Sequence, residues 1–408
     1  MKPAKAYLNV LRLKVNIALK RPVISTYPVI AFIDPATSYC PLRCPGCPTV
    51  LRLGLRKPHM LEWELYKCLI DEIGDYLFHI ELHNWGEPLL HKQTPEFIRY
   101  AKSKEIKVVV HTNLSINLSD EYIQDLVRSG LDQLVISADG ASQETYEKYR
   151  RGGNISLVRN NMERIQAEKG ALGFKTPEIL WKFLVFKHNE HEIARVRTIY
   201  KDWGADGVII GGPYWDSNML DAGIALSSIP EYTSLLRCQA QVLTKTGHKR
   251  RLPKYCSFLY EALTLNADGS MSPCCSISNE NDDFAKYSPS IGFLSAWNSD
   301  RFRIARSITS KSEMLLARKD KPSDGVVNVC QKCQVRFVPY FAELPERVFR
   351  QCLYERASLF LQQKDLHYLP DFPLKLCIAD YPTVIRNLLS IIGRRLSKHK
   401  NEINNTPA

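Results

Sequence analysis

Val29-Ile30-Ala31-Phe32-Ile33-Asp34-Pro35-Ala36-Thr37-Ser38-Tyr39-Cys40-Pro41-Leu42-Arg43-Cys44-Pro45-Gly46-Cys47-Pro48 is the stretch from which the rest of the chain can be read. Residues 29–33 are an unbroken apolar run, the pattern of a buried strand, and Asp34-Pro35 ends it. The loop that follows carries three thiols at C-x3-C-x2-C spacing among prolines and a glycine, and all three can converge on one metal centre. Zinc in a structural site takes four ligands. Three local cysteines therefore leave three readings open: a zinc loop with a distant fourth ligand, chance clustering, or a centre that keeps one position free.

Outward from this loop, strands and helices alternate. Apolar runs predict strands at 29–34, 78–84, 106–112, 132–138, 179–187 and 206–211, with amphipathic helices between them. The clearest helix is Leu61–Leu77, where Leu61, Leu65, Leu69 and Ile73 recur at spacing four; Cys68 within it reads as packing. Six β/α units in succession predict a parallel sheet or open barrel with its active site at the C-terminal strand ends. Polar residues gather at those ends: Asn84-Trp85-Gly86-Glu87-Pro88 after strand two, His111-Thr112-Asn113 after strand three and Ser137-Ala138-Asp139-Gly140 after strand four. Strand five closes on Lys187-His188, two basic groups expected to face the pocket, where His188 reads as a proton-transfer group or, more simply, a structural neighbour of a helix. Gly211-Gly212-Pro213 closes strand six as a tight turn or as backbone lining a pocket.

A four-iron, four-sulfur cluster held by three cysteines keeps one iron open. The spacing of Cys40, Cys44 and Cys47, and its place after the first strand, resemble the radical S-adenosylmethionine (AdoMet) enzymes, the radical SAM superfamily. Gly86-Glu87-Pro88 resembles that family's "GGEP" segment, with Trp85 in place of the first glycine. Ser137-Ala138-Asp139-Gly140 resembles its "S-x-D-G" segment, and Tyr149-Arg150 its "Y-R" step. The resemblance implies a [4Fe–4S] cluster on Cys40, Cys44 and Cys47, with AdoMet held by Gly86, Glu87, Ser137 and Arg150. It further implies reductive cleavage of AdoMet to a 5′-deoxyadenosyl radical that abstracts hydrogen from a substrate. The implied fold is α/β: a partial (β/α)6 radical SAM barrel.

Past residue 225 the alternation stops. Cys256 precedes an apolar strand, Phe258–Leu265, then a hairpin turn Asn266-Ala267-Asp268-Gly269 and a second strand that reaches Cys274. Cys330 and Cys333 follow much later. These four thiols suit a closed all-cysteine site, an auxiliary [4Fe–4S] cluster or zinc. The pattern resembles the twitch domain, the shortened SPASM module that follows many radical AdoMet barrels. Cys352 and Cys377 read as packing. Cys275, beside the ligand Cys274, reads either as a small buried residue or as a hydrogen donor to a substrate radical. The expected division is 1–25 as a basic amphipathic segment, 26–225 as the radical SAM core, 226–345 as a SPASM/twitch β-hairpin-plus-helix domain and 346–408 as a basic helical extension.

The chain of 408 residues carries a net charge of +12, and its two ends supply nearly all of it. Lys2, Lys5, Arg12, Lys14, Lys20 and Arg21 lie within residues 1–25, and Arg386, Arg394, Arg395, Lys398 and Lys400 within 384–401, with no acid in either range. A near-neutral body argues against a nucleic-acid-coating surface, so no nucleic acid is expected. The basic ends read as packed helices or as cationic segments that dock on an anionic membrane. No apolar run of about 18 residues is present, and no signal peptide opens the chain. Twelve cysteines in an unexported chain point to metal ligation. The location expected is cytoplasmic, with peripheral contact at the inner face of the membrane.

The function expected is oxidation or epimerisation of a carbohydrate or other small, lipid-linked or free, metabolite, with electrons from a flavodoxin or ferredoxin. A peptide maturase stands as the alternative, weakened because 25 residues before the barrel leave no room for a leader-binding domain. From another class, a non-catalytic zinc protein docking membrane or nucleic acid stays open.

Overall fold

Residues 30–33 are buried along their whole length, as a strand covered on both faces must be. The computed structural model describes residues 2–51, 56–213, 223–232, 256, 258–308 and 329–332, all within one compact unit, Met1–Arg350. Cys333, Cys352, Cys377 and the basic stretch 384–401 lie outside the described residues.

Six strands run parallel in chain order: β1 (Ile30–Ile33), β2 (His79–Glu81), β3 (Lys107–Thr112), β4 (Gln133–Ser137), β5 (Glu178–Leu184) and β6 (Gly207–Gly211). After α1 (Ala4–Ala18) and the single turn α2 (Pro48–Leu51), the helices α3 (Trp63–Ile73), α4 (Thr94–Ser103), α5 (Asp120–Arg128), α6 (Gln143–Tyr149), α7 (Ile155–Ala171) and α8 (Ile193–Ile199) return the chain between the strands. Side-chain caps start several of these helices: Ser119, Ser142 and Asn154 each accept from a backbone N–H two or three residues on. The partial barrel that the sequence predicts is present.

The second sheet segment is the unexpected part. β7 (Ala262–Leu265) pairs parallel with the free edge of β1, and β8 (Ser270–Ser272) and β9 (Ala285–Lys286) add antiparallel strands beyond it. One nine-stranded sheet results, in the order β6-β5-β4-β3-β2-β1-β7-β8-β9. The hairpin turn falls at Asn266–Gly269 as expected, and Gly269 adopts φ +84° with its would-be Cβ 2.9 Å from the Tyr287 carbonyl. Only glycine fits there. The apolar run at 258 begins as a short helical turn, Phe258–Glu261, before the strand.

The pleat sorts side chains to two faces. Ala31, Ile33, Ile80, Leu82, Val108, Val110, Leu134, Ile136, Ile179, Trp181, Phe183, Leu263 and Leu265 belong to the core under the helices. The intervening positions face the interior of the curved sheet. Polar groups therefore line that interior wherever the alternate residue is polar, and this decides where the chemistry sits.

The N-terminal helix α1 (Ala4–Ala18) packs on the body through Ala6, Val10, Leu13 and Ile17, and Asn9 exchanges two hydrogen bonds with the Tyr27 backbone. Its other side leaves Leu8, Leu11, Val15 and Leu19 exposed.

Candidate active site

The three thiols of the first loop come together above the strand ends. Cys44 is buried with Leu42, Tyr149, Phe186 and Ile224, and Cys40 and Cys47 pack against the same group. The loop is held by backbone hydrogen bonds, Glu87 N–H to Tyr39 O at 2.7 Å and Arg43 N–H to Arg151 O at 2.9 Å. Burial pushes the free Cys40 thiol up to about 12 and the Cys44 thiol up to about 11, the latter opposed by Arg150. Binding a metal centre would therefore release protons.

Three thiols in an apolar pocket fit an iron–sulfur cluster with one iron left open.

Two side chains reach the sulfurs, Asn113 from the end of β3 and Arg150 from the C-terminus of α6. Asn113 Nδ2 donates to Cys40 Sγ at 3.7 Å, and Arg150 Nη1 to Cys44 Sγ at 3.8 Å. Such hydrogen bonds tune the potential of a bound cluster. Arg150 is also fixed by Asp139, whose buried carboxylate accepts from Arg150 Nε at 2.6 Å and from the Leu184 N–H at 2.7 Å. The Arg150 fork is thus turned towards Asp139 and Cys44, not presented whole to an incoming carboxylate.

Gly86 and Glu87 serve the protein's own backbone. A Cβ on Gly86 would lie 1.8 Å from the Ala36 carbonyl oxygen, so glycine lets this turn pack against the cysteine loop. Glu87 is buried and accepts from Leu89 N, Thr112 Oγ1 and Asn113 N. Burial outweighs these donors and raises its carboxyl to about 7. Ser137 ends β4 half-buried, with no side-chain hydrogen bond among the described residues. Gly211 has open space where a Cβ would stand.

Trp85, in place of the family's glycine, is built in: its N–H donates to Asp34 Oδ2 at 2.9 Å and its indole N–H to Ile277 O at 2.9 Å. Asp34 itself accepts from Thr37 Oγ1, and Thr37 Oγ1 accepts from the Ala267 N–H. The end of β1, the turn after β2 and the hairpin are one hydrogen-bonded unit.

On the hairpin side, Cys274 is deeply buried, and the nearby thiols Cys275, Cys256 and Cys330 help push its pKa well above the ordinary value, after burial itself. Three of the four expected auxiliary ligands are therefore neighbours. Burial, aided by the negative charge of Glu81, raises the Cys275 thiol to about 12, which keeps it as S–H. The Asn84 side-chain amide donates to Cys275 O at 3.1 Å.

Lys187 departs from the expectation that it faces the pocket. Its ammonium is exposed and pairs with Glu190 at 2.7 Å, because β5 ends at Leu184 and the following turn rotates the chain outward. His188 stacks on Phe186, and its buried Nε2 has no hydrogen bond among the described residues. The basic group of β5 on the interior face is Lys182, whose pKa burial lowers. Lys182, Glu81 and His83 were not singled out from sequence. The signal was there in the alternation: Glu81-x-His83 and Lys182 fall on the phase opposite Ile80-x-Leu82 and Trp181-x-Phe183.

Comparison with known proteins agrees with this site. Residues 35–173 match the radical SAM superfamily model. A probable GTP 3′,8-cyclase of Methanococcus maripaludis is 39% identical over 79 residues, 19% of this chain and 26% of that protein. An AdoMet-dependent heme synthase of Methanosarcina barkeri is 30% identical over 170 residues, 41% of this chain and 46% of that protein. The chain thus spans less than half the length of these curated relatives. The crystal structure of Streptococcus suis SuiB bound to S-adenosylmethionine shares the fold at 14% identity and TM-score 0.52, covering 73% of this chain and 72% of that one. Residues 35–173 thus resemble the radical SAM superfamily, and the chain shares its fold with SuiB.

Proposed function

We propose that this protein is a radical AdoMet oxidoreductase or epimerase acting on a carbohydrate or another small, oxygen-rich metabolite. The observation that carries this reading is the polar interior face at the strand ends, where Glu81, His83, His111 and Lys182 stand on the phase opposite the apolar core. Charged and hydrogen-bonding groups at the strand ends suit hydroxyl or phosphate groups better than the apolar side chains of a peptide.

When bound, the cluster and AdoMet supply the hydrogen-abstracting radical; the chain supplies positioning and exclusion of water. Cys40, Cys44 and Cys47 hold the cluster. Asn113 and Arg150 set its surroundings, and Gly86 and Glu87 fix the turn beside it. Ser137, half-buried and without a side-chain hydrogen bond among the described residues, is the hydroxyl available to AdoMet. Cys256, Cys274, Cys330 and Cys333 would hold a second cluster, which would supply a one-electron acceptor for oxidation of the substrate. Cys275, kept as a thiol, gives a hydrogen atom to the substrate radical where the outcome is epimerisation, and an electron from the flavodoxin or ferredoxin with a solvent proton restores the thiol.

The exposed row Leu8, Leu11, Val15 and Leu19 beside Arg12 supports docking of α1 on an anionic membrane, which fits a lipid-linked substrate. Among the described residues no helix is long and apolar enough to cross a membrane. Failure to sediment with anionic vesicles at low salt removes this part of the reading.

The test is a substrate screen with the reduced, reconstituted enzyme in deuterated water, following 5′-deoxyadenosine. Sugars, nucleotide sugars or polyols are expected to stimulate its release. Solvent deuterium in the product, lost in Cys275→Ala, identifies an epimerase. Stimulation by peptides alone overturns the substrate assignment.

A further inference from the structure

Glu81, His83 and His111 converge at the ends of β2 and β3 on the interior face of the sheet. The register pairs Glu81 with Val109, so two residues further on His83 and His111 stand side by side, and their rings stack with centroids 4.1 Å apart. Glu81 Oε2 lies 3.6 Å from His83 Nδ1 and 3.4 Å from His111 Nε2. All three donor atoms fall within 4.8 Å of one another.

At these distances neither contact is a well-formed hydrogen bond. Glu81 Oε2 and His83 Nδ1 are both buried without a hydrogen-bond partner among the described residues. The other carboxylate oxygen, Oε1, is occupied by His79 Nε2 at 2.7 Å. One carboxylate oxygen is thus anchored from behind while the other is aimed, with two imidazole nitrogens, at a common point. Leaving such groups unsatisfied is costly, and a shared ligand removes the cost.

We propose that Glu81, His83 and His111 bind one divalent first-row transition-metal ion of the zinc or ferrous class, separate from both iron–sulfur clusters. The spacing fits. Zinc bonds to imidazole nitrogen and carboxylate oxygen of about 2.0–2.2 Å give donor–donor edges of roughly 3.3–3.6 Å in a tetrahedron. Two histidines and one carboxylate are a common set for zinc and ferrous ions that keep an open position. The side chains remain 18%, 24% and 26% exposed, so the ion keeps a face for water or an oxygen atom of a substrate. His79 is the outer partner that orients the carboxylate. The proposal does not rest on the substrate assigned above.

Equilibrium dialysis of the reconstituted full-length protein against zinc, with zinc, iron and sulfide counted per chain, tests it. One tightly held zinc is expected beyond the iron. The paired change His83→Ala and His111→Ala removes it at unchanged iron and sulfide, and His79→Ala weakens it by about 10–100-fold. Cobalt in its place is expected to show the weak visible bands of a nitrogen–oxygen site without thiolate charge transfer. Should the paired variant lose iron as well, Glu81→Gln is read in its stead, with zinc lost and iron retained. No zinc bound by the wild type, zinc retained in these variants, or a cobalt spectrum dominated by thiolate overturns the proposal. A protein that holds this zinc yet releases no 5′-deoxyadenosine leaves the site standing and fails the radical reading alone.

Discussion

The Arg150 guanidinium bridges Asp139 and Cys44, donating from Nε to Asp139 Oδ2 at 2.6 Å and from Nη1 to Cys44 Sγ at 3.8 Å. The carboxylate has no exposed surface, so the pair is a buried one. Removing one partner from such a pair strands a charge, at a cost of about 3–5 kcal/mol. Arg150→Met is expected to lower stability by that order in chemical denaturation. The double change Arg150→Met with Asp139→Asn is expected to recover part of the loss. Equal destabilisation by the single and double variants would show that Arg150 acts by packing alone.

Gly86→Ala is expected to be among the most disruptive single changes in the chain. The added methyl would meet the Ala36 carbonyl oxygen at 1.8 Å, and backbone on both sides leaves nothing flexible to yield. The turn or the cysteine loop must shift. Iron bound after anaerobic reconstitution is the readout, and it should fall several-fold. Full iron loading would mean that the two loops move independently.

Glu87 makes folding pH-dependent. Its carboxyl titrates at about 7 in the folded chain against an ordinary 4.5, chiefly because it is buried. The folded state therefore binds more protons between these values, and stability falls as pH rises from 4.5 through 7. The shift corresponds to an order of 3 kcal/mol. Glu87→Gln removes this share, so the stability of the variant relative to wild type should climb between pH 5 and 8. Parallel curves over that range would contradict it.

Much of this was legible in the sequence, for identifiable reasons. The six parallel strands were, because a strand buried on both faces reads as an apolar run. The cysteine loop was, because its three ligands are local. What the sequence hid was long-range. That β7 pairs with β1 depends on contacts between residues over 200 positions apart, and no local pattern encodes them. Nor does any local pattern mark Arg56 for burial. It is buried, with both nitrogens of its fork on Asp283 at 2.6 Å and further bonds to Ser270 and Ser272.

That clamp ties the segment after the cysteine loop to the hairpin. Arg56→Ala leaves Asp283 uncompensated beneath the sheet edge, and a loss of about 3–5 kcal/mol is expected. Hydrogen exchange should localise the weakening to β8 and β9. Uniform loss of protection across the sheet would contradict a local clamp.

The central claim is that Cys40, Cys44 and Cys47 hold an iron–sulfur cluster with an iron open to AdoMet. The most direct measurement pairs the iron content of anaerobically reconstituted protein with 5′-deoxyadenosine released on reduction with AdoMet, for wild type and Cys44→Ser. About eight irons and clear release are expected for wild type, against about four irons and no release for the variant. Equal release from both, or zinc in place of iron in the wild type, would contradict the account.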